Sequence, residues 1–350
     1  MKPNARVMRI LFSILSLFIL FTLNSCGSDS EPMLNIEFIS PESFPEPIYN
    51  FSKNKVTTEG FELGKSLFFD SMLSKDNTIS CASCHNQGAA FANAGHAVSH
   101  GIGDQLGVRN APALQNLAWQ KTFFHDGGVF NLDLLSLVPI KDPVEMGNEP
   151  DTVLERLRNS SKYQELFKSA FGEGEITSQK FLKSLSQYMN MLVSANSRYD
   201  QYLKGEEEFT DLELKGLNLF EQKCASCHSG AFFTDQSFRN NGLEVFNEND
   251  EGRANITLQP TDKFKFKVPS LRNIAVSSPY MHDGRLRNLQ EVLEHYNSEV
   301  KNTPTLDEKL KTDGKLGIPL SSEEQSEIIT FLKTLTDKQF IKNKLFMPDR

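Results

Sequence analysis

The chain has 350 residues, 39% of them hydrophobic and 23% charged. That is enough apolar material to exclude a disordered chain, and the length suits two domains. The formal charge is −8; Lys2, Arg6 and Arg9 are the only charged side chains in residues 1–25, so the remainder sets 34 basic against 45 acidic residues, or −11. So acidic a chain carries no electrostatic footprint for nucleic acid and no basic patch for anionic lipid.

The N-terminus reads as a targeting segment. A cationic stretch, Met1 to Arg9, precedes an apolar run from Ile10 to Leu23 that is too short to span a bilayer comfortably. The run ends Leu23-Asn24-Ser25-Cys26. That pattern resembles a bacterial lipoprotein box, with residues 1–25 as signal peptide and Cys26 as the lipidated end. The expected location is therefore outside the cytoplasm, on the periplasmic side, anchored to the outer membrane through Cys26. An ordinary signal peptide with an incidental cysteine is the alternative. Residues 26–50, rich in Ser, Glu and Pro, read as a tether.

Four cysteines remain, in Cys81-Ala82-Ser83-Cys84-His85 and Cys224-Ala225-Ser226-Cys227-His228. Each is C-x-x-C-H, the attachment pattern of c-type haem. Two thiols one helical turn apart add across the haem vinyl groups, and the next residue presents imidazole to the iron. A zinc ribbon needs its cysteine pairs about 15–20 residues apart; these are 143 apart. The motifs predict two covalent haems, with His85 and His228 as iron ligands.

The rest of the chain reads as mainly α. Asp151 is placed as the cap of a helical run through Phe167, and a second periodic run covers 177–203, ending near Gly205. Thr210–Glu213 and Ser321–Glu324 are capping boxes, the second followed by Ile328, Phe331, Leu332 and Leu335 at helical spacing. An internal repeat runs through the whole. Glu62-Leu63-Gly64-Lys65-Ser66-Leu67-Phe68 precedes the first haem motif, and Glu213-Leu214-Lys215-Gly216-Leu217-Asn218-Leu219-Phe220 the second. Pro112–Asn116 matches Pro269–Asn273; His125-Asp126-Gly127 and His282-Asp283-Gly284 each follow nine residues on, and Leu132 and Leu289 seven beyond those. The expected fold is two tandem class I cytochrome c-like haem domains related by duplication, 51–205 and 206–350.

The repeat also exposes an asymmetry. Fourteen residues after His282 stands Tyr296; at the same offset after His125 stands Pro139, with Glu145 six residues further. A phenolate can ligate iron and proline cannot, so the second haem reads as capped and the first as open, with Glu145 as a proton carrier at the open site. On residue type alone, Tyr296 reads more simply as a core aromatic on a helix Leu289–Tyr296, and Glu145 as a loop carboxylate.

Leu63–Asp70, Cys81–His85, Arg109-Asn110-Ala111-Pro112, Phe124–Gly127, Pro139 with Glu145-Met146-Gly147, Cys224–His228, Val268–Asn273 and Pro279–Gly284 together resemble the bacterial di-haem cytochrome c peroxidase/MauG family. The resemblance implies a peroxide site at the N-terminal haem with Glu145 as its catalytic residue. It implies a C-terminal haem that collects oxidising equivalents, ligated by Tyr296 as in MauG-type members. It also implies a calcium ion held by the side chain of Asn110 and the carbonyls of Ser277 and Pro279. The implied substrate is hydrogen peroxide and the implied donor a small redox protein, cytochrome c or cupredoxin; a homodimer is one candidate assembly. A MauG-like oxidase of a protein substrate and a plain di-haem electron carrier are the competing functions. Departures from the family are His125 in place of the usual inter-haem Trp, Leu135 in place of a distal Gln, and a loop in which His100 or His96 could close the first haem. His295, beside Tyr296, reads as structural.

Overall fold

The computed structural model describes residues 35–348, apart from residue 313. Residues 1–25, expected as a signal peptide, and Cys26 lie outside the described residues. Among those residues no helix is long and apolar enough to cross a membrane.

The architecture is mainly helical. In chain order the helices are α1 (Thr58–Phe69), α2 (Cys81–Cys84), α3 (Leu137–Lys141), α4 (Pro150–Arg158), α5 (Ser161–Phe171), α6 (Ser178–Asn190), α7 (Arg198–Leu203), α8 (Asp211–Lys223), α9 (Ala254–Thr257), α10 (Leu289–Glu294) and α11 (Ser322–Thr334). Two antiparallel pairs of two-residue strands complete the set: β1 (Phe238–Arg239) with β2 (Phe266–Lys267), and β3 (Lys311–Thr312) with β4 (Lys315–Leu316).

Local chemistry sets the helix ends. Both expected capping boxes form: the Thr210 N–H donates to Glu213 at 2.8 Å, and the Ser321 N–H to Glu324 at 2.7 Å. Asp151 is not a cap. The helix starts one residue earlier at Pro150, whose fixed φ and missing N–H suit the first helical position, and Glu149 takes the cap. The run predicted from Asp151 also breaks at Asn159–Ser160, and the 177–203 run breaks between Asn190 and Arg198.

Two cores form. The first gathers Phe61, Leu63, Leu67 and Phe68 of α1 with Val153 and Leu157 of α4 and Leu185 and Tyr188 of α6. The second gathers Phe220 of α8, Leu289 and Leu293 of α10, and Ile328, Phe331 and Leu332 of α11, with Phe233 and Tyr280. Each fully buried side chain of this size contributes about 1.5–3 kcal/mol. In each core a glycine lets two helices touch backbone to backbone. A Cβ at Gly64 would lie 2.0 Å from the Ser184 carbonyl oxygen, and one at Gly216 would lie 2.0 Å from that of Glu327.

Chain ends cross these cores. Phe340 and Phe346, beyond α11, pack into the first core, and the Tyr188 hydroxyl donates to the Phe346 carbonyl at 2.8 Å. Residues 36–50, expected as a tether, hold no helix or strand, yet Ile36 and Phe44 are buried. There the buried Trp119 donates its Nε1–H to the Pro45 carbonyl at 2.7 Å and meets the Phe44 ring edge-on at 5.1 Å. A buried bidentate pair, Arg272 on Asp200 at 2.8 Å for both bonds, ties the 269–273 loop to α7.

Candidate active site

Both C-x-x-C-H motifs open onto one cavity of about 940 Å³, near the top of the ~300–1,000 Å³ range of ligand pockets. Its walls include Cys81, Cys84, His85, Cys224, Cys227 and His228. The first motif forms the single turn α2, held at its start by reciprocal Ser80 and Ser83 bonds; the second follows directly on the end of α8. All four cysteines are free thiols. Burial pushes Cys81 and Cys224 up to about 12 and raises Cys84, so they stay protonated.

The two histidines are held alike. His85 Nδ1 lies 2.7 Å from the Phe91 carbonyl, and His228 Nδ1 lies 3.1 Å from that of Phe233. A carbonyl accepts only, so Nδ1 carries the proton and Nε2 is left bare for a metal. Burial holds both imidazoles below the usual histidine range, hence neutral. A roomy cavity, free protonated thiols and two pre-oriented neutral imidazoles fit two covalent c-type haems.

Pro139 of α3, Glu145 and Tyr296 also line this cavity. Glu145 sits in a tight turn: its N–H donates to the Asp142 carbonyl at 3.1 Å, and its own carbonyl accepts from the Ile102 N–H at 2.8 Å. Burial, with the nearby Asp142 charge, lifts its carboxyl to about 7. Tyr296 lies in a turn of π-helix, His295–Glu299, that continues α10; such turns recur at functional sites. Burial pushes its phenol up to about 12, against a hydrogen bond from the Asn241 side chain. His295 points elsewhere, buried and bonded through Nε2 to the Asn241 carbonyl at 3.1 Å.

His96 and His100 are exposed and do not line the cavity; His100 Nδ1 sits 3.0 Å from Asp104. Asn110, Ser277 and Pro279 do line it. The Asn110 amide nitrogen donates to the His96 and Ala97 carbonyls at 3.2 and 3.0 Å, which leaves its amide oxygen as the donor for a cation. Among the described residues no three His, Cys, Asp or Glu side chains converge on a metal position, so an ion at Asn110 would be held by neutral oxygens.

A charged junction between the motifs was not read from the sequence. Arg109 binds Asp126 at 2.5 Å and Asp250 at 2.6 and 2.9 Å. Beside it the His125 Nε2–H donates to the Asn110 carbonyl at 3.0 Å, since that oxygen only accepts. Burial first, and the neighbouring His282 second, push His125 down to about 4. His282 stacks on Phe266 at 3.7 Å. Asp250 and Asn241 lie in loops outside either motif, and no local pattern marks them.

Comparison with known proteins agrees with this geometry. Residues 58–208 match the family model for di-haem cytochrome c peroxidase. The chain is 36% identical over 306 residues to the methylamine utilization protein MauG of Methylorubrum extorquens, covering 86% of this chain and 84% of that protein. It is 30% identical to the cytochrome c551 peroxidase of Nitrosomonas europaea, covering 95% and 92%. A solved MauG-like protein associated with microbial copper homeostasis superposes with a TM-score of 0.80 at 31% identity, covering 89% of this chain and 99% of that one. The chain belongs to the di-haem cytochrome c peroxidase/MauG family.

Proposed function

We propose that this protein is a di-haem c-type peroxidase that reduces hydrogen peroxide to two waters, taking two protons and two electrons, the electrons from a small redox protein such as a cytochrome c or cupredoxin. The asymmetry of the shared cavity carries the reading: Glu145, its carboxyl near 7, and Pro139 at one end, Tyr296 at the other. When bound, two covalent haems supply the iron coordination and electron storage that the reaction needs. Cys81, Cys84 and His85 would hold the first; Cys224, Cys227, His228 and Tyr296 the second. Glu145 takes the proton of the near peroxide oxygen and gives it to the far oxygen, which leaves as water. Near pH 7 that carboxyl is poised to do both.

The same reading makes the chain two tandem cytochrome c-like domains, 51–205 and 206–350. Support comes from matched local geometry: Asn116 and Asn273 both at positive φ, and a Phe123–Val129 bridge answered by Tyr280–Leu286. It also places calcium at Asn110, Ser277 and Pro279, and export with a lipid anchor at Cys26. A second reading, oxidation of a protein partner, is favoured by Tyr296 and by the likeness to MauG.

The test is peroxide consumption by the haem-loaded protein with reduced cytochrome c. Turnover above that of free haem supports the peroxidase. Peroxide reaction without donor oxidation moves the assignment to the second reading. No reaction at all leaves a plain electron carrier.

A further inference from the structure

The junction between the two motifs is built twice. Pro112 and Pro269, Asn116 and Asn273, and His125 and His282 all keep one register, 157 positions apart. In that register Lys267 stands where Asn110 stands, and Gln120 and Thr122 stand where Ser277 and Pro279 stand. The backbone repeats the correspondence. The Asn110 N–H donates to the His282 carbonyl at 2.8 Å, and the Lys267 N–H donates to the His125 carbonyl at 2.7 Å.

The side chain of Lys267 then reaches the mates of the expected calcium ligands. Its Nζ donates to Gln120 Oε1 at 2.7 Å and to the Thr122 carbonyl at 2.5 Å. Both acceptors are neutral, and no carboxylate is paired with this amine among the described residues. Placing a half-buried ammonium among neutral oxygens is costly, and burial pulls this amine down to about 7, so it carries its charge below that pH. Carbonyl and amide oxygens are nonetheless the donors that hard cations choose.

We propose that Lys267 is a tethered cation: its ammonium fills, in one half of the junction, the position that Asn110, Ser277 and Pro279 offer to a calcium ion in the other. The junction thus needs one free cation rather than two. This rests on the calcium reading above, but the two can fail separately.

The experiment uses haem-loaded protein stripped with chelator, then equilibrated with calcium. Bound calcium per chain is counted and thermal unfolding recorded with and without the ion. The parent should take up one calcium. Lys267→Asn, which copies the Asn110 arrangement, should take up one more than the parent, and calcium should restore an unfolding temperature lowered by several degrees in chelator. Lys267→Met should be lowered likewise without restoration, and Lys267→Arg should match the parent. A parent that binds two calcium ions overturns the proposal without any variant. So does a Lys267→Asn protein with no calcium beyond the parent's, or a Lys267→Met protein as stable as the parent. A parent that binds none, beside a Lys267→Asn protein that binds one, removes the Asn110 site and upholds Lys267.

Discussion

The two ends of the cavity are supported alike and finished differently. Each motif histidine gives its Nδ1 proton to the carbonyl of a phenylalanine a few residues on, and each core brings two helices together at a glycine. Yet in the shared register one end carries Pro139, followed by Glu145, and the other carries Tyr296 on a π-turn. On the proposed reading, one register used twice can present two haem sites in the same way while one position in it, Pro139 against Tyr296, separates an open site from a closed one. Proline offers no lone pair to iron; a phenolate does.

The sharpest way to break this comparison is at Glu145. Glu145→Gln is nearly isosteric and should keep both haems while slowing the reaction with peroxide by about 10²–10⁴, measured by stopped-flow absorbance. An unchanged rate would make Glu145 a structural residue and leave the difference between the ends to Pro139 and Tyr296.

The equivalence of the two supports is tested at the helix crossings. Gly64→Ala and Gly216→Ala each force a Cβ onto a carbonyl oxygen. Overpacking of this kind costs about 1–3 kcal/mol, and both should lower the unfolding temperature by similar amounts. A large loss at one and none at the other would show that the two halves are not supported alike.

The smallest effect is in the pH profile. With its carboxyl at about 7, Glu145 is increasingly protonated as pH falls below 7 and cannot then accept the peroxide proton. The bimolecular rate should fall about tenfold per pH unit below that point and level off above it. The Glu145→Gln protein should lose this dependence. The same raised value means that the folded state favours the protonated acid, so this group's contribution to stability is full below about 4.5, its ordinary value, and lost as pH rises through 7.

How far the sequence foretold this is uneven, for a physical reason. The haem motifs, both capping boxes and the apolar stripe of α11 depend on spacing within a few residues, so they were legible. Asp151 was misread because a proline one residue earlier starts the helix more cheaply than a side-chain cap does. The packing of Ile36 and Phe44 has no periodicity to betray it, since that segment runs irregularly against Trp119. Asn241 on the Tyr296 phenol, the Arg109–Asp250 pair and the reach of Lys267 to Gln120 and Thr122 are contacts between residues far apart in the chain. Only the fold brings them together.

The measurement that bears most directly on the asymmetry is electron paramagnetic resonance of the ferric, haem-loaded protein beside its Tyr296→Phe variant. The account predicts one high-spin haem with an open coordination position and one six-coordinate haem ligated by His228 and Tyr296. In the variant only the second signal should change. Two low-spin haems in the parent, or a Tyr296→Phe spectrum identical to it, would contradict the claim that Pro139 and Tyr296 divide the roles of the two sites.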